Sequence, residues 1–388
     1  MNMPQPLFSI LVPTYNQAHY LPQALESLQA QTFSQWEALV VDDGSTDSTR
    51  QVMEQYAFRD KRIRGIHKQN GGVASALNEG LRHATGEWVC WLSSDDLFAP
   101  EKLAIHVQAF RDQQQSLFFH SDFSLYYEEH GNVCLSSHEY HSLIPEQEGQ
   151  VVQLLRVNYV NGISIAVHRS LFEAVGYFSE YLRFGQDFDL WLRMAARFPL
   201  EFIDKRTCVT RIHSGQTTHT LPAAGEFESA VAALTLLNRC PFASLFPRTD
   251  LSERTALLRS VRQVLGILSA RDSYLHSCGF GPALLDRLRE YVTRITAHDI
   301  LSAIRPMLKE IVYTDHMPQE ITESVSSWLE SYQSPFVYHC YDPINEMTNH
   351  ARRAKIFGKN DVADSIVAYL GKYGTNIRAL TMERCSRD

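Results

Sequence analysis

The chain has 388 residues, 44% of them apolar and 11% aromatic, enough to bury more than one core and unlike the composition of a disordered segment. Lys and Arg total 36 against 44 Asp and Glu, a formal charge of −8, which excludes a chain-wide basic surface for nucleic acid. Seven dispersed cysteines with no Cys-x-x-Cys pair read as reduced thiols, not as a disulfide framework or zinc site.

Up to about residue 220, short apolar runs alternate with helical patterns. Phe8–Val12 is a continuous apolar run suited to a buried parallel strand. Leu21, Ala24, Leu25 and Leu28 recur at helical spacing. Ala38–Val41 reads as a second strand, with Asp47 placed to cap the helix after it. Ile63–Ile66 is a weaker third strand, Val73–Ala84 a helix and Glu87–Leu92 a fourth strand. Such alternation implies a mostly parallel, Rossmann-like α/β sheet flanked by helices. After about residue 222 the strand signals fade. Phe227–Leu237, Leu251–Leu268, Ala283–Ile295, Ile321–Leu329 and Val362–Leu370 show helical spacing, punctuated by proline and glycine. The expected division is an α/β domain over 1–221 and an all-helical domain over 222–388, serving packing, oligomerisation or acceptor binding. The N-terminus lacks the basic and long apolar regions of a signal peptide, and no run approaches the roughly 20 apolar residues of a membrane helix. A cytoplasmic protein is expected, with at most peripheral contact at the inner face of the membrane.

In an open α/β sheet, ligands bind beyond the carboxyl ends of the strands. Pro13–Asn16, Asp42–Asp47 and Ser93–Asp96 each come directly after a predicted strand, so these loops should converge on one crevice. Asp42 and Asp43 suit either turn chemistry or acceptance of a hydrogen bond from a base or ribose. The adjacent carboxylates of Asp95 and Asp96 repel each other; they suit a hard divalent cation, or the start of the helix opened by Pro100 and Glu101. Asp187 begins a helix whose apolar face is Phe188, Trp191, Leu192 and Ala195, so it serves as a cap or as a general base. Asp189 reads as structural. Arg211 and His213 alternate after Thr207–Thr210, where both could face a diphosphate.

Together these segments resemble the family 2 glycosyltransferases of GT-A fold, from Phe8 to about Thr218. The similarity is carried by FSILVPTYNQAHYLPQALESLQAQTFSQWEALVVDDGSTDST, HKQNGGVASALNEGL, WLSSDDLFAPEKL, NGISIAVHRSLFEAVGYF and QDFDLWLRMA. The resemblance implies a donor-nucleotide site at Pro13, Tyr15, Asn16, Asp43, Asn70, Gly72, Asn78 and Asp95. It places Tyr15 on the base and Asp43 on its ring N–H. Gly162, Arg211 and His213 lie by implication at the donor sugar and diphosphate, Asp96, Asp95 and His213 at a Mn²⁺ or Mg²⁺ ion, and Asp187 at the catalytic base. Where the family often has Asp this chain has Ser93, where it has Glu this chain has Gln186, and Leu77 stands where many members carry arginine.

The resemblance also implies a reaction: an inverting, metal-dependent transfer from a UDP-sugar, or a dTDP-sugar, to a hydroxyl of a glycan, lipid-linked or other acceptor, in cell-surface glycan or polysaccharide synthesis. Uracil and thymine carry the single ring N–H that one carboxylate can accept from. No nucleic-acid partner is expected, and a homo-oligomer could form through the helical domain. The other reading is a catalytically silent nucleotide-sugar-binding or scaffold protein on the same fold, motivated by Ser93 and Gln186. A nucleotidyltransferase fits poorly, because residues 8–20 contain neither glycine nor lysine.

Overall fold

The computed structural model describes residues 6–130, 132–134, 149–216, 222–269 and 281–294, with 303–308, 366–372 and isolated residues up to 377. The chain divides into two compact units. The first comprises Met1–Ile144, Tyr159–Met194 and Phe198–Thr220; the second takes Pro145–Asn158 and Ala195–Arg197 as well as Leu221–Asp388.

In the first unit, β1 (Phe8–Thr14), β2 (Trp36–Asp42), β3 (Ile63–His67) and β4 (Trp88–Trp91) run parallel in the order β3-β2-β1-β4. Between them lie α1 (Leu21–Gln29), α2 (Thr49–Arg59) and α3 (Val73–His83). The sheet continues through β8 (Ala166–His168), β6 (Phe118–Tyr127), β9 (Glu201–Ile212) and β5 (Leu97–Phe98), with β7 (Asn132–Cys134) paired to β6. β8 is antiparallel to both β4 and β6, while β6 and β9 are parallel. Helices α4 (Lys102–Asp112), α6 (Ser170–Val175) and α7 (Gln186–Ala195) complete this unit, α5 (Gln150–Arg156) belonging to the other.

Strand alternation sorts the side chains by face. Phe8, Ile10, Val12, Ala38, Val40, Trp88 and Cys90 share one core with Leu21, Leu25 and Leu28 of α1, Met53 of α2 and Leu103 of α4. α3 covers the opposite face, where Gly80 lies against Leu11 and Val41. On α7, Phe188, Trp191, Leu192 and Ala195 are all buried, and the Trp191 ring meets Phe118 and Phe178 edge-on. Pro13 is tolerated in a central strand because β4 pairs with β1 only as far as Leu11.

The second unit is helical in its described residues. α8 (Pro222–Arg239) and α9 (Arg254–Ser269) pack on α10 (Gly281–Arg294), and α5 packs on α9. The buried Arg287 of α10 donates to the carbonyls of Leu237 and Asn238, satisfying orphan acceptors in the last turn of α8. Of the helices expected at Ile321–Leu329 and Val362–Leu370, the described residues 322, 323, 325, 326, 364 and 366–370 are helical, and the rest lie outside the described residues.

Two histidines in the first unit tie stability to pH. His106 and His120 are buried, each with Nε2 meeting no hydrogen-bond partner among the described residues. Burial pushes His120 down to about 3 and, with the nearby Lys102, holds His106 well below the usual histidine range. Both stay neutral when folded, whereas the unfolded chain takes up protons near its ordinary value of about 6.5. Stability is therefore fully present above about pH 6.5 and is lost as pH falls from there, for His120 down toward about 3. At about pH 5 His120 should cost about 2 kcal/mol. His120 lies among the rings of Phe118, Tyr159 and Phe202. Urea unfolding of wild type and His120→Phe from about pH 7 to about pH 5 should show the acid-induced loss smaller in the variant by about that 2 kcal/mol.

Candidate active site

β1, β2 and β4 point their carboxyl ends the same way, so the loops after Thr14, Asp42 and Trp91 open on one edge of the sheet. The first two are laced together. Asn16, at φ +52°, donates its N–H to Ser45 Oγ at 2.9 Å, and its Oδ1 accepts from Thr46 N at 2.8 Å. Asp47 accepts from the amides of Ala18 and Thr49, so it joins the two loops as well as starting α2. Tyr15 is left 47% exposed at the lip. Pro13 is buried in β1, and Asn70 is exposed.

Asp43 is buried and firmly held. Its Oδ1 accepts from Lys68 Nζ at 2.7 Å and Gly71 N at 3.0 Å, and its Oδ2 accepts from Gly72 N at 2.7 Å. The Gly71 N–H is shared with Oδ2 at 3.1 Å. Three donors, with the Gly71 N–H shared, thus engage both oxygens of Asp43. The neighbouring Asp42 takes Ser45 N and His67 Nδ1 instead. Asn78, expected at the donor, is engaged elsewhere. Its Nδ2 donates to Phe178 O and Glu180 Oε1, and its Oδ1 accepts from Phe178 N. The side chain clamps α3 to the segment leading into α7.

Asp95 and Asp96 lie where β4 gives way to β5, and β9 reaches them from the far side of the sheet. Arg211 N donates to Asp96 Oδ1 at 2.8 Å, and Arg211 Nε to Asp95 O at 2.9 Å. The guanidinium is enclosed: Nη2 donates to Gln23 Oε1, Nη1 lies 3.7 Å from Glu128, and the rings of Tyr20 and Tyr126 flank it. Arg211, expected to face a diphosphate, therefore serves as the base on which the acidic pair rests. His213 Nε2 approaches Asp95 Oδ2 at 3.2 Å, its ring packed on Tyr20. Burial, and next the charge of Asp95, hold the Asp96 carboxyl well above the usual range, which the bonds from Arg211 N and Ser93 only partly offset. Among the described residues no group of three or more His, Cys, Asp or Glu is gathered as a ready-made metal cage.

Gly162 lies in the single 3₁₀ turn Gly162–Ser164, where an added Cβ would fall 2.6 Å from the Trp91 ring. The turn is capped by Asn161, whose side chain accepts from Ile163 N and donates to Thr210 of β9. Behind it stands Lys102, fully buried, donating to Ser164 O at 3.0 Å and Thr207 Oγ1 at 3.3 Å. Burial lowers its affinity for a proton. Lys102 escaped sequence reading because a lysine at the start of an amphipathic helix reads as a solvated residue; Lys68, Tyr20 and Gln23 likewise carry no local signal of their partners.

Asp187 opens α7, its Oδ1 accepting from Phe188 N at 2.7 Å. Asp189 pairs with Arg193 through Nε at 3.0 Å and Nη2 at 2.8 Å. That guanidinium also holds the carbonyls of Val175, Gly176 and Tyr177. Asp189 is thus bound within the scaffold, and Asp187 is the more open of the two.

A family model described as glycosyl transferase family 2 matches residues 9–176. An uncharacterized glycosyltransferase of Rickettsia typhi is 30% identical, covering 56% of this chain and 68% of that protein. The putative teichuronic acid biosynthesis glycosyltransferase TuaG of Bacillus subtilis is 35% identical, over 31% of this chain and 48% of its own. Among solved structures, S. aureus TarS 1-349 in complex with UDP is similar with a TM-score of 0.48 and 21% identity, covering 86% of this chain and 93% of that one. The chain belongs to glycosyl transferase family 2 and is a glycosyltransferase.

The Asp189–Arg193 pair generates a stability prediction. Asp189→Ala leaves a guanidinium that is 18% exposed without its carboxylate. The variant should lose about 3 kcal/mol of unfolding free energy, whereas Asp187→Asn should lose less than about 1 kcal/mol. Chemical denaturation of the two variants checks this ordering.

Proposed function

We propose that this glycosyltransferase moves a sugar from a UDP-sugar, or less favourably a dTDP-sugar, to an acceptor hydroxyl with inversion at the anomeric carbon. The observation that carries the reading is the set of carboxylates Asp43, Asp95 and Asp96 after the carboxyl ends of β2 and β4, the two parallel strands that flank β1. Tyr15 offers an exposed ring to stack on the base, and Asp43, at the same edge, is the carboxylate that accepts from a pyrimidine ring N–H. Asn16, Asn70 and Gly72 border that end of the site, and Pro13 and Asn78 support it from within the fold. Gly162 faces the donor sugar, its lack of a side chain set by Trp91.

Asp95 and Asp96, with His213 beside them, fit a divalent cation. Two carboxylates are what Mg²⁺ or Mn²⁺ commonly takes when phosphates and water supply the rest. The crowding that raises the Asp96 carboxyl would be relieved by a cation. When bound, the ion supplies Lewis-acid charge for the departing diphosphate. Asp187 accepts the proton of the acceptor hydroxyl as its oxygen bonds to the anomeric carbon. The bond from that carbon to the phosphate oxygen breaks, and its electron pair leaves with the nucleoside diphosphate. The name of the relative TuaG supports a place in cell-surface glycan synthesis. Among the described residues no helix is long and apolar enough to cross a membrane.

The test is a screen of nucleotide sugars by thermal shift, with and without Mn²⁺, then transfer assays with the donor that stabilises. Asp187→Asn should lower the transfer rate by about 10²–10⁴ and leave UDP affinity within about twofold. An Asn variant that transfers at the wild-type rate would remove Asp187 from the mechanism. Asp96→Ala should abolish the part of UDP binding that EDTA removes from the wild-type protein; UDP binding indifferent to both would exclude the metal.

A further inference from the structure

The cations of the crevice differ in what they hold. Lys68 is bonded to Asp43 and to Gln69 O, Arg211 to Asp95 and Gln23, and Arg193 to Asp189. Arg183 is different. It lies half-buried in the turn before α7, and among the described residues no hydrogen bond or ion pair reaches its guanidinium. It lies against Gly72, where an added Cβ would fall 2.3 Å from Arg183 Nη1. Gly72 adopts φ +90°, and its N–H donates to Asp43. The guanidinium therefore rests on the backbone that anchors Asp43. α3 itself brings no positive charge there, because it opens with Val73, Ala74, Ser75, Ala76, Leu77 and Asn78, of which Leu77 is wholly buried, and Lys68 beside Gly71 is already bonded to Asp43.

A half-buried guanidinium without an acidic partner is costly to keep, and a planar fork of donors matches a phosphate group in geometry and in charge. We propose that Arg183 is a donor-binding residue whose guanidinium hydrogen-bonds the phosphates of the nucleotide donor across Gly72. This rests on the reading of the crevice as a nucleotide-sugar site and adds to it a contact that brings the turn before α7 onto the donor. Because Asp187 comes four residues later, the same turn carries a donor contact at one end and the proposed base at the other. The role also explains the glycine: a side chain at position 72 would displace the guanidinium even if the backbone accepted the positive φ.

The experiment compares full-length wild type, Arg183→Gln and Arg183→Lys by NMR titration with UDP, UMP and uridine in the presence of Mn²⁺. Arg183→Gln should bind UDP and UMP about 10–100-fold more weakly, as loss of a charge-assisted hydrogen bond predicts, with uridine affinity unchanged. Arg183→Lys should recover part of that loss. Unchanged uridine binding also reports that the variants are folded at the site. UDP affinity within about twofold of wild type in Arg183→Gln overturns the proposal, and so does an equal loss for uridine, which would place the contact at the base or make the residue structural. A wild-type chain that binds no uridine nucleotide overturns the reading of the crevice itself, whereas one that binds UDP equally well in all three forms overturns the Arg183 assignment alone.

Discussion

Asp95 and Asp96 are adjacent like charges at a strand end, and Arg211 is what makes that adjacency tolerable. One residue of β9 gives its backbone N–H to Asp96 and its Nε–H to the backbone of Asp95. Its remaining donors and ring contacts reach α1, through Tyr20 and Gln23, and the end of β6, through Tyr126 and Glu128. The positive charge sits beneath the acidic pair and is shut off from solvent by aromatic rings. Every other feature of this end of the crevice depends on that arrangement. His213 can approach Asp95 because it stands two residues beyond Arg211 on the same chain segment, and the mixed half of the sheet exists to carry β9 to this point.

A second constraint runs through the middle of the sheet. Lys102 joins the 3₁₀ turn at Gly162–Ser164 to Thr207 deep in the fold, between two cysteines. Burial drives the thiols of Cys90 and Cys208 up to about 11 and about 12, with Lys102 opposing the shift in both. Neither thiol is a nucleophile under ordinary conditions. The ammonium group is there for geometry. It fixes the turn carrying Gly162 against the strand carrying Arg211, so that two elements distant in sequence share one reference point.

How much of this was legible depended on whether the information was local. β1 and β2 announced themselves as continuous apolar runs, because parallel strands covered on both faces have no polar side. β9 was legible only at Thr207–Thr210, since Glu201–Arg206 carries a charged edge that obscures a strand of 12 residues. β5 has two residues and no period to detect. The same divide holds at the site. Asp43, Asp95, Asp96 and Asp187 stand out because they directly follow predicted strands or open a helix, although turn chemistry and capping give such positions a structural use as well. Their partners do not stand out. Lys68, Gln23 and Arg183 acquire meaning only from the fold, and Asn78, which looked like a ligand contact, turns out to hold two segments of backbone together.

The long reach of these bonds sets an order of events during synthesis. Asn78 and Phe178 are 100 residues apart, Lys102 and Thr207 are 105, and Arg211 and Asp95 are 116. β1 to β4 with their helices form a parallel layer whose contacts are comparatively local, and they can condense while later segments are still being made. The crevice cannot. Until Arg211 and His213 have emerged from the ribosome, the acidic pair lacks the donors that β9 brings to it. Closing loops of this length makes docking of β9 a slow, late step. The first half of the sheet must keep its open edge from other nascent chains throughout that interval.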